Sequence, residues 1–422
     1  MQLKKSFGIV FLLFLTIILF ACGGGGSSGG GAGAGGTGTL SASMTDAAGP
    51  YQAVYVTVRE LQVHRGGDEN DEGGWLTLEG FSKKTIDLCS LRNGVFEDLG
   101  SIRLLEGDYS QLRLILSDEV EGPVLFDANN DPVLNVLGTQ HPHANYVVFD
   151  DDTWQMLKVP SAFNTGVKLV KGFTINAQQT TEIILDFDAY RSVVQAGKSG
   201  KWLLKPTIKV LDDTQENWIL DGTVSSEDGT GIEGVSVSVQ YPDPANPEEI
   251  VRTSTLTDAD GNYVIYVAPP DASGYHIVAY KGPRNVEEDD IISGADIWGP
   301  ECIAIASDAQ GEDLTNDFEL TDSSVAGIGA ITGPVTININ GDDLERYATL
   351  SFRKNCSVTS KDIEVLSINV ADGSDYRVVL PVLPVGEEYS LFASSGTTVN
   401  QPVPFTVVTD PPVTVEVEIP AP

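Results

Sequence analysis

Histidine, cysteine, methionine and positive charge are all scarce in this 422-residue sequence. It has four His, four Cys and three Met, and 25 Lys+Arg stand against 60 Asp+Glu, a formal net charge of -35. A chain this acidic lacks the basic stripe that displaces counterions from a polyanion, which excludes nucleic acid as a partner. So few His and Cys argue against a disulfide-dense scaffold and leave little material for a transition-metal centre. The one long apolar run, Phe7 to Phe20, has fourteen residues, fewer than the roughly 20 a membrane-spanning helix needs. Beyond that run no window of 12 or more residues carries a helical apolar repeat.

What is present begins with that run. Lys4 and Lys5 precede it, and Ala21 and Cys22 follow. At 1.5 Å rise it covers about 21 Å, which suits the core of a signal peptide. Leu19-Phe20-Ala21-Cys22 resembles a bacterial lipobox. The resemblance implies a signal peptide over 1–21 and diacylation of Cys22; the alternative is an ordinary signal peptide. Gly23 after the cysteine implies, by the known sorting pattern, an outer-membrane lipoprotein. Eleven of the 44 Gly fall between Gly23 and Gly38. Residues 22–39 are therefore expected to be the lipidated Cys and a flexible tether, with an r.m.s. reach of about 22 Å for sixteen residues.

Past the tether, short alternating runs rich in β-branched and aromatic residues are separated by Gly, Asp, Asn and Pro, the pattern of an all-β protein. Three blocks are expected, at 40–213, 216–321 and 325–422. In the first, strands are expected at Val54 to Val63, Lys84 to Leu88, Tyr109 to Leu116, Val167 to Ile175, Glu182 to Phe187 and Trp202 to Val210, with a long acidic hairpin tip between Gly66 and Gly74. The phrases SMTDAAGPYQAVYVTVRELQVH, IDLCSLRNG, LEGDYSQLRLIL, LKVPSAFNTGVKLVKGF, LDFDAYRSVV and LLKPTIKV resemble a bacterial lipoprotein family, domain of unknown function 4382. The resemblance covers nearly the whole block and implies a β-rich fold and an envelope location, with no activity attached. Cys89 stands where that family usually has Leu, as a filler of core space.

The second block contains LDGTVSSEDGTGIEGVSVSV, STLTDADGNYVIYV and GYHIVAY. These resemble the carboxypeptidase regulatory-like domain, a transthyretin-type Greek-key sandwich that supports other domains or binds surfaces. The third block repeats the second. Ala259-Asp260-Gly261, Tyr263 and Tyr275 line up with Ala371-Asp372-Gly373, Tyr376 and Tyr389, so two small tandem sandwiches are expected. Acidity is concentrated there: from Thr214 onward there are 35 acidic and 8 basic residues, against 25 and 15 between the signal and Asp213. This reads either as a solvated, self-repelling surface or as weak calcium binding.

Candidate chemistry is sparse. Asp127-x-Asn129-x-Asp131 starts like a calcium loop, but Pro132 occupies the place of the turn Gly; Asp258-x-Asp260-Gly261 serves a hairpin turn equally well. Acidic tips at 68–72, 150–152 and 287–290 bind calcium only if the fold gathers them. His141-Pro142-His143, with Asp150 or Asp152, is the one dense histidine pair, against a simple polar loop. His64 and His276 are expected to face the surface from strands. No metal, cofactor or catalytic residue is assigned, because no Ser, His or P-loop motif falls in the strand–turn–helix context it requires. A carboxylate pair for hydrolysis cannot be picked out among 60 acids. Lys158, Ser161 and Lys168, in a Pro-Ser loop between Lys-bearing strands, are candidates for receiving an anionic group, the alternative being local pairing with carboxylates. Trp298 is a candidate glycan-stacking platform or else packs beneath its loop. Cys302 and Cys356 either bridge the second and third blocks or remain, with Cys89, buried thiols. The expected function is a non-catalytic envelope lipoprotein recognising glycans or envelope proteins. The alternatives are a structural spacer at the outer membrane and an envelope hydrolase with a hidden carboxylate site.

Overall fold

In a computed structural model, the described residues are 36–46, 51–65, 74–121, 141–149, 151–159, 166–169, 172–196, 201–212, 218–242, 250–267, 274–283, 297–306, 313–323, 327–338, 347–395 and 398–420. The expected signal peptide, Cys22, Ser161, the Asp127–Asp131 run and the acidic tips at 68–72, 150 and 287–290 lie outside them. The protein is all-β. Among the described residues two short helical turns, Leu88–Leu91 and Ala189–Ser192, interrupt the strands, and each starts from an Asp side chain accepting a backbone N–H at its N-cap.

The first domain packs one sheet on another. In the smaller, Thr37–Asp46 lies parallel to Thr180–Phe187 and antiparallel to Glu97–Leu105, with Ile208–Asp212 on the outer edge. The larger runs Phe173–Ile175, Gly107–Leu116, Ala53–Arg65, Tyr146–Val148, Trp154–Lys158, Lys201–Leu204 and Val193–Ala196. Strict alternation puts Leu40, Ala42 and Met44 of the first strand into the core, where they meet Val54, Val56, Leu112 and Leu114. The expected Trp75 hairpin is present: Trp75–Thr77 pairs antiparallel with Ala53–Arg65.

Three boundaries differ from expectation. The first strand opens at Thr37, inside the run expected to be tether. Gly38 makes this possible, since a Cβ there would sit 2.2 Å from the Asn176 carbonyl oxygen. The run expected as one strand from Trp202 to Val210 is two, Lys201–Leu204 and Ile208–Asp212, in different sheets; Pro206 between them has no N–H to keep one ladder going. Val167 to Ile175 likewise forms two strands, Val167–Leu169 and Phe173–Ile175, both against Gly107–Leu116.

The second and third domains share one strand order, which makes the sequence repeat a structural one. One sheet of the second runs Asn262–Val267, Trp218–Ser226, Asp313–Thr315, and its counterpart in the third runs Asp375–Pro381, Ile328–Ile337, Val413–Thr414. The facing sheets run Ile250–Leu256, Ser236–Pro242, Tyr275–Lys281, Trp298–Ile305 and Asp362–Ala371, Tyr347–Asn355, Tyr389–Ser395, Thr398–Val399. The repeated Tyr has the same task in each copy. Tyr263 lies opposite Gly222 and donates to the Asn316 carbonyl (2.6 Å); Tyr376 lies opposite Gly333 and donates to the Val415 carbonyl (2.8 Å). Those same carbonyl oxygens would be 2.0 Å from a Cβ on Gly222 or Gly333. The glycine admits a crossing strand, and the tyrosine opposite caps its backbone.

The three domains are joined by buried polar bonds. Glu364 of the third is 3% exposed and takes a partner from each domain. Arg191 of the first donates to its Oε1 (2.5 Å), and Ser351 of the third donates to Oε2 (2.7 Å). The Gln240 amide of the second accepts from its backbone N–H (2.8 Å) and donates to its carbonyl (2.7 Å). Of the two cysteine readings, the bridge is the one present: Cys302 and Cys356 form a disulfide between the second and third domains, and Cys89 is a buried thiol. Two histidine expectations are corrected. His276 is buried because the third domain covers its strand, with Thr359 Oγ1 2.7 Å from its Nε2; His64 is buried because Trp75 packs on it.

Candidate polar and aromatic platform

The outer face of the larger sheet carries polar side chains in register. Gly107–Leu116 alternates, so Leu112 and Leu114 enter the core while Gln111 and Arg113 point away. Cross-strand pairing then builds one row across four strands: Thr77 opposite Gln62, Gln62 opposite Arg113, Arg113 opposite Lys168. Three interstrand steps make it about 14 Å long. A second row beside it holds Trp75, His64 and Gln111. Thr77 and Lys168 are exposed, Gln62, Arg113 and Trp75 half-buried, and His64 and Gln111 buried.

Arg113 is held in place by contacts that occupy none of its donors. Its guanidinium lies 3.8 Å from the Trp75 ring centroid, and its Nε is buried with no hydrogen-bond partner. Gly166, at φ +70°, brings the chain so close that a Cβ would stand 2.4 Å from Arg113 Cγ and from Ile115 Cδ1. Glu60, on the same face, is engaged by Arg59 (3.3 Å) and Thr77. Among the described residues no carboxylate pairs with Arg113 or Lys168.

The sequence pointed to Lys168 but missed Arg113, Trp75, Gln62 and Thr77. The outward direction of Arg113 is legible in the alternation of LRLIL; its neighbours are not, because they come from strands distant in sequence. Lys158 is elsewhere: its strand is separated from Val167–Leu169 by three others, so the two lysines do not share one site. Trp298 is half-buried and packs against the core of the second domain.

The histidine pair lies in an aromatic cluster. His141 stacks on Tyr146 (3.8 Å between centroids) and meets Trp154 edge-on, and burial, helped by the charge of His143, pushes it down to about 4. Its Nδ1 accepts from the His143 backbone N–H (3.2 Å), so the neutral ring carries its proton on Nε2, where a metal would need a lone pair. Among the described residues no three His, Cys, Asp or Glu form a metal-binding group. Asp258, in the calcium-like turn, instead accepts from the N–H groups of Asp260 and Asn262 (3.0 and 2.8 Å).

Between the first and second domains lies a cavity of about 20 Å³ lined by Asp46, Asp186 and Thr253 among others. That admits one water and no sugar ring. Asp46 pairs with Phe187 and Thr45 with Asp186, so the two acids leave opposite faces of their sheet and do not converge on one ion. Asp46 Oδ1 accepts from Ala189 N–H (2.9 Å), while Oδ2 has no hydrogen-bond partner. Burial first, and then the charges of Asp188, Asp186 and Asp87, raise its pKa well above 3.8. A carboxyl whose folded value is raised favours folding while protonated, and that contribution is lost as pH rises through the folded value. At neutral pH, where the unfolded carboxyl is ionised, burying Asp46 is a cost. Asp46→Asn is therefore expected to raise the melting temperature at pH 7, by roughly 1–3 kcal/mol of stability, with the gain closing as pH falls toward 4. Matched melts at both pH values check this.

Residues 37–206 match the family model described as Domain of unknown function (DUF4382). No curated protein matches the chain. Among solved structures, the Bacillus anthracis TIE protein is similar at 11% identity and TM-score 0.18, over 91% of this chain and 50% of that one. A streptococcal ancillary pilin is similar at 11% identity and TM-score 0.17, over 91% and 99%. A putative adhesin from Bacteroides ovatus gives 9% identity and TM-score 0.18, over 42% and 71%. The chain thus spans half the length of the first of these, and likeness at this level carries no argument about function.

Proposed function

We propose that the chain is a non-catalytic, lipid-anchored recognition module of the cell envelope, which binds a glycan or an envelope protein on the outer sheet face of its first domain. The observation that carries this reading is the Thr77–Gln62–Arg113–Lys168 row, flanked by Trp75: hydrogen-bonding groups, an ordered cation and an aromatic ring in one plane. Such a face offers a ligand lying along it hydrogen bonds, a cation and an aromatic ring. Acylation of Cys22 would hold the protein at the outer membrane. The second and third domains, read as carboxypeptidase regulatory-like modules, would then serve as a stiff mount.

A printed glycan array probed with the lipid-free protein tests the recognition reading, and absence of binding across a broad panel would sink it for glycans. Gly166→Ala is expected to weaken whatever binds by about tenfold, because the new methyl displaces the Arg113 stem. An unchanged dissociation constant would remove Arg113 from the site. Cys22→Ser is expected to release the protein from the membrane fraction.

A second reading, a structural spacer, is favoured by one observation, the three-domain junction at Glu364. It predicts a full-length partner in crosslinked envelopes and no ligand on the array.

A further inference from the structure

Arg113 and Lys168 face each other directly across two strands. Like charges so placed repel and destabilise a sheet, yet the chain carries 60 Asp+Glu from which to draw a counterion. Among the described residues none pairs with either cation. Nor is Arg113 a loose surface side chain. Trp75 holds its guanidinium, Gly166 admits the chain against its stem, and its buried Nε has no acceptor. A planar guanidinium fixed in this way has its terminal Nη donors to offer a carboxylate, the buried Nε being out of reach, and the ordering entropy is already spent before binding.

We infer that the Arg113–Lys168 pair receives the carboxylate of an acidic sugar, within a glycan whose remaining hydroxyls are met along the row by Gln62 and Thr77. This deepens the recognition reading and rests on it. The rest of the charge defines the ligand further. A protein of net charge -35 repels a dense polyanion, whereas fields beyond about 8 Å are screened at physiological salt. An acidic sugar spaced by neutral ones presents its carboxylate to the pair without bringing a charged neighbour against the acidic surface. The row, about 14 Å long, exceeds one sugar ring, so neutral neighbours also find contacts.

The test is the full lipid-free chain on an array grouped by acid density: neutral oligosaccharides, oligosaccharides with uronic acids spaced by neutral sugars, polyuronates, and sulfated polymers. Binding is expected in the spaced-acid group. Titration of the best of those probes should show about a tenfold loss for Lys168→Gln and about a hundredfold loss for Arg113→Gln. Lys168 is exposed on a three-residue strand, so Lys168→Gln reports on the ligand even if Arg113→Gln folds poorly. Binding confined to neutral, densely charged or sulfated glycans would overturn the inference, as would spaced-acid binding unchanged by Lys168→Gln. Neutral-glycan binding that Trp75→Ala abolishes would leave recognition on this face standing while removing the acidic sugar.

Discussion

Glu364→Ala is expected to lower the unfolding free energy by about 3–5 kcal/mol, the cost of removing one partner from a buried ion pair. Arg191, with 16% of its side chain exposed, would keep its charge inside the junction with only Asp188, 3.8 Å away, left as a carboxylate partner. Ser351 would lose its acceptor on the same side chain. The backbone bonds between Gln240 and residue 364 do not depend on the side chain, which separates the charge from the rest of the junction. Glu364→Gln keeps acceptor oxygen and volume and should cost less than Glu364→Ala. Denaturant unfolding measures both; equal losses for the two would mean that shape rather than charge holds the junction.

Loss of the Cys302–Cys356 bridge is the second large effect. The two cysteines are 54 residues apart in sequence, and closing a loop of that length restricts the unfolded chain by about 4 kcal/mol. Cys302→Ser with Cys356→Ser should therefore move the denaturant midpoint well down, with the change felt where the second and third domains meet. Val278 and Ile363 pack around the bridge, so the double Ser variant also loses apolar contact there. Thiol titration of the denatured, unreduced chain carrying Cys22→Ser should find one thiol, Cys89. Three would contradict the bridge.

Legibility in the sequence followed the range of the interaction. Strand alternation and turn residues are local, so the all-β class and the hairpin at Trp75 were readable. The repeat was readable because Tyr263 and Tyr376 each need a glycine opposite and a turn before, which fixes their spacing. What a strand's second face meets is not local. His276 looks solvent-facing until the third domain closes over it through Thr359, and no pattern in its own strand signals that. Arg113, Lys168 and Gln62 become neighbours only through register between strands remote in sequence. The paired lysine reading failed for the same reason: Lys158 and Lys168 flank one short loop segment in sequence, yet three strands stand between theirs. Pro206 is itself a break signal, a missing N–H in the middle of an apparent nine-residue strand.

The central claim is that the first domain's outer sheet face is the recognition surface. Hydrogen–deuterium exchange of the lipid-free chain, with and without the strongest-binding oligosaccharide from the array, tests it most directly. Slowed exchange is predicted at Trp75–Thr77 and Val167–Leu169, the short strands that flank the row, with the two sandwiches unchanged. Protection confined to the sandwiches, with those two strands exchanging as before, would contradict it.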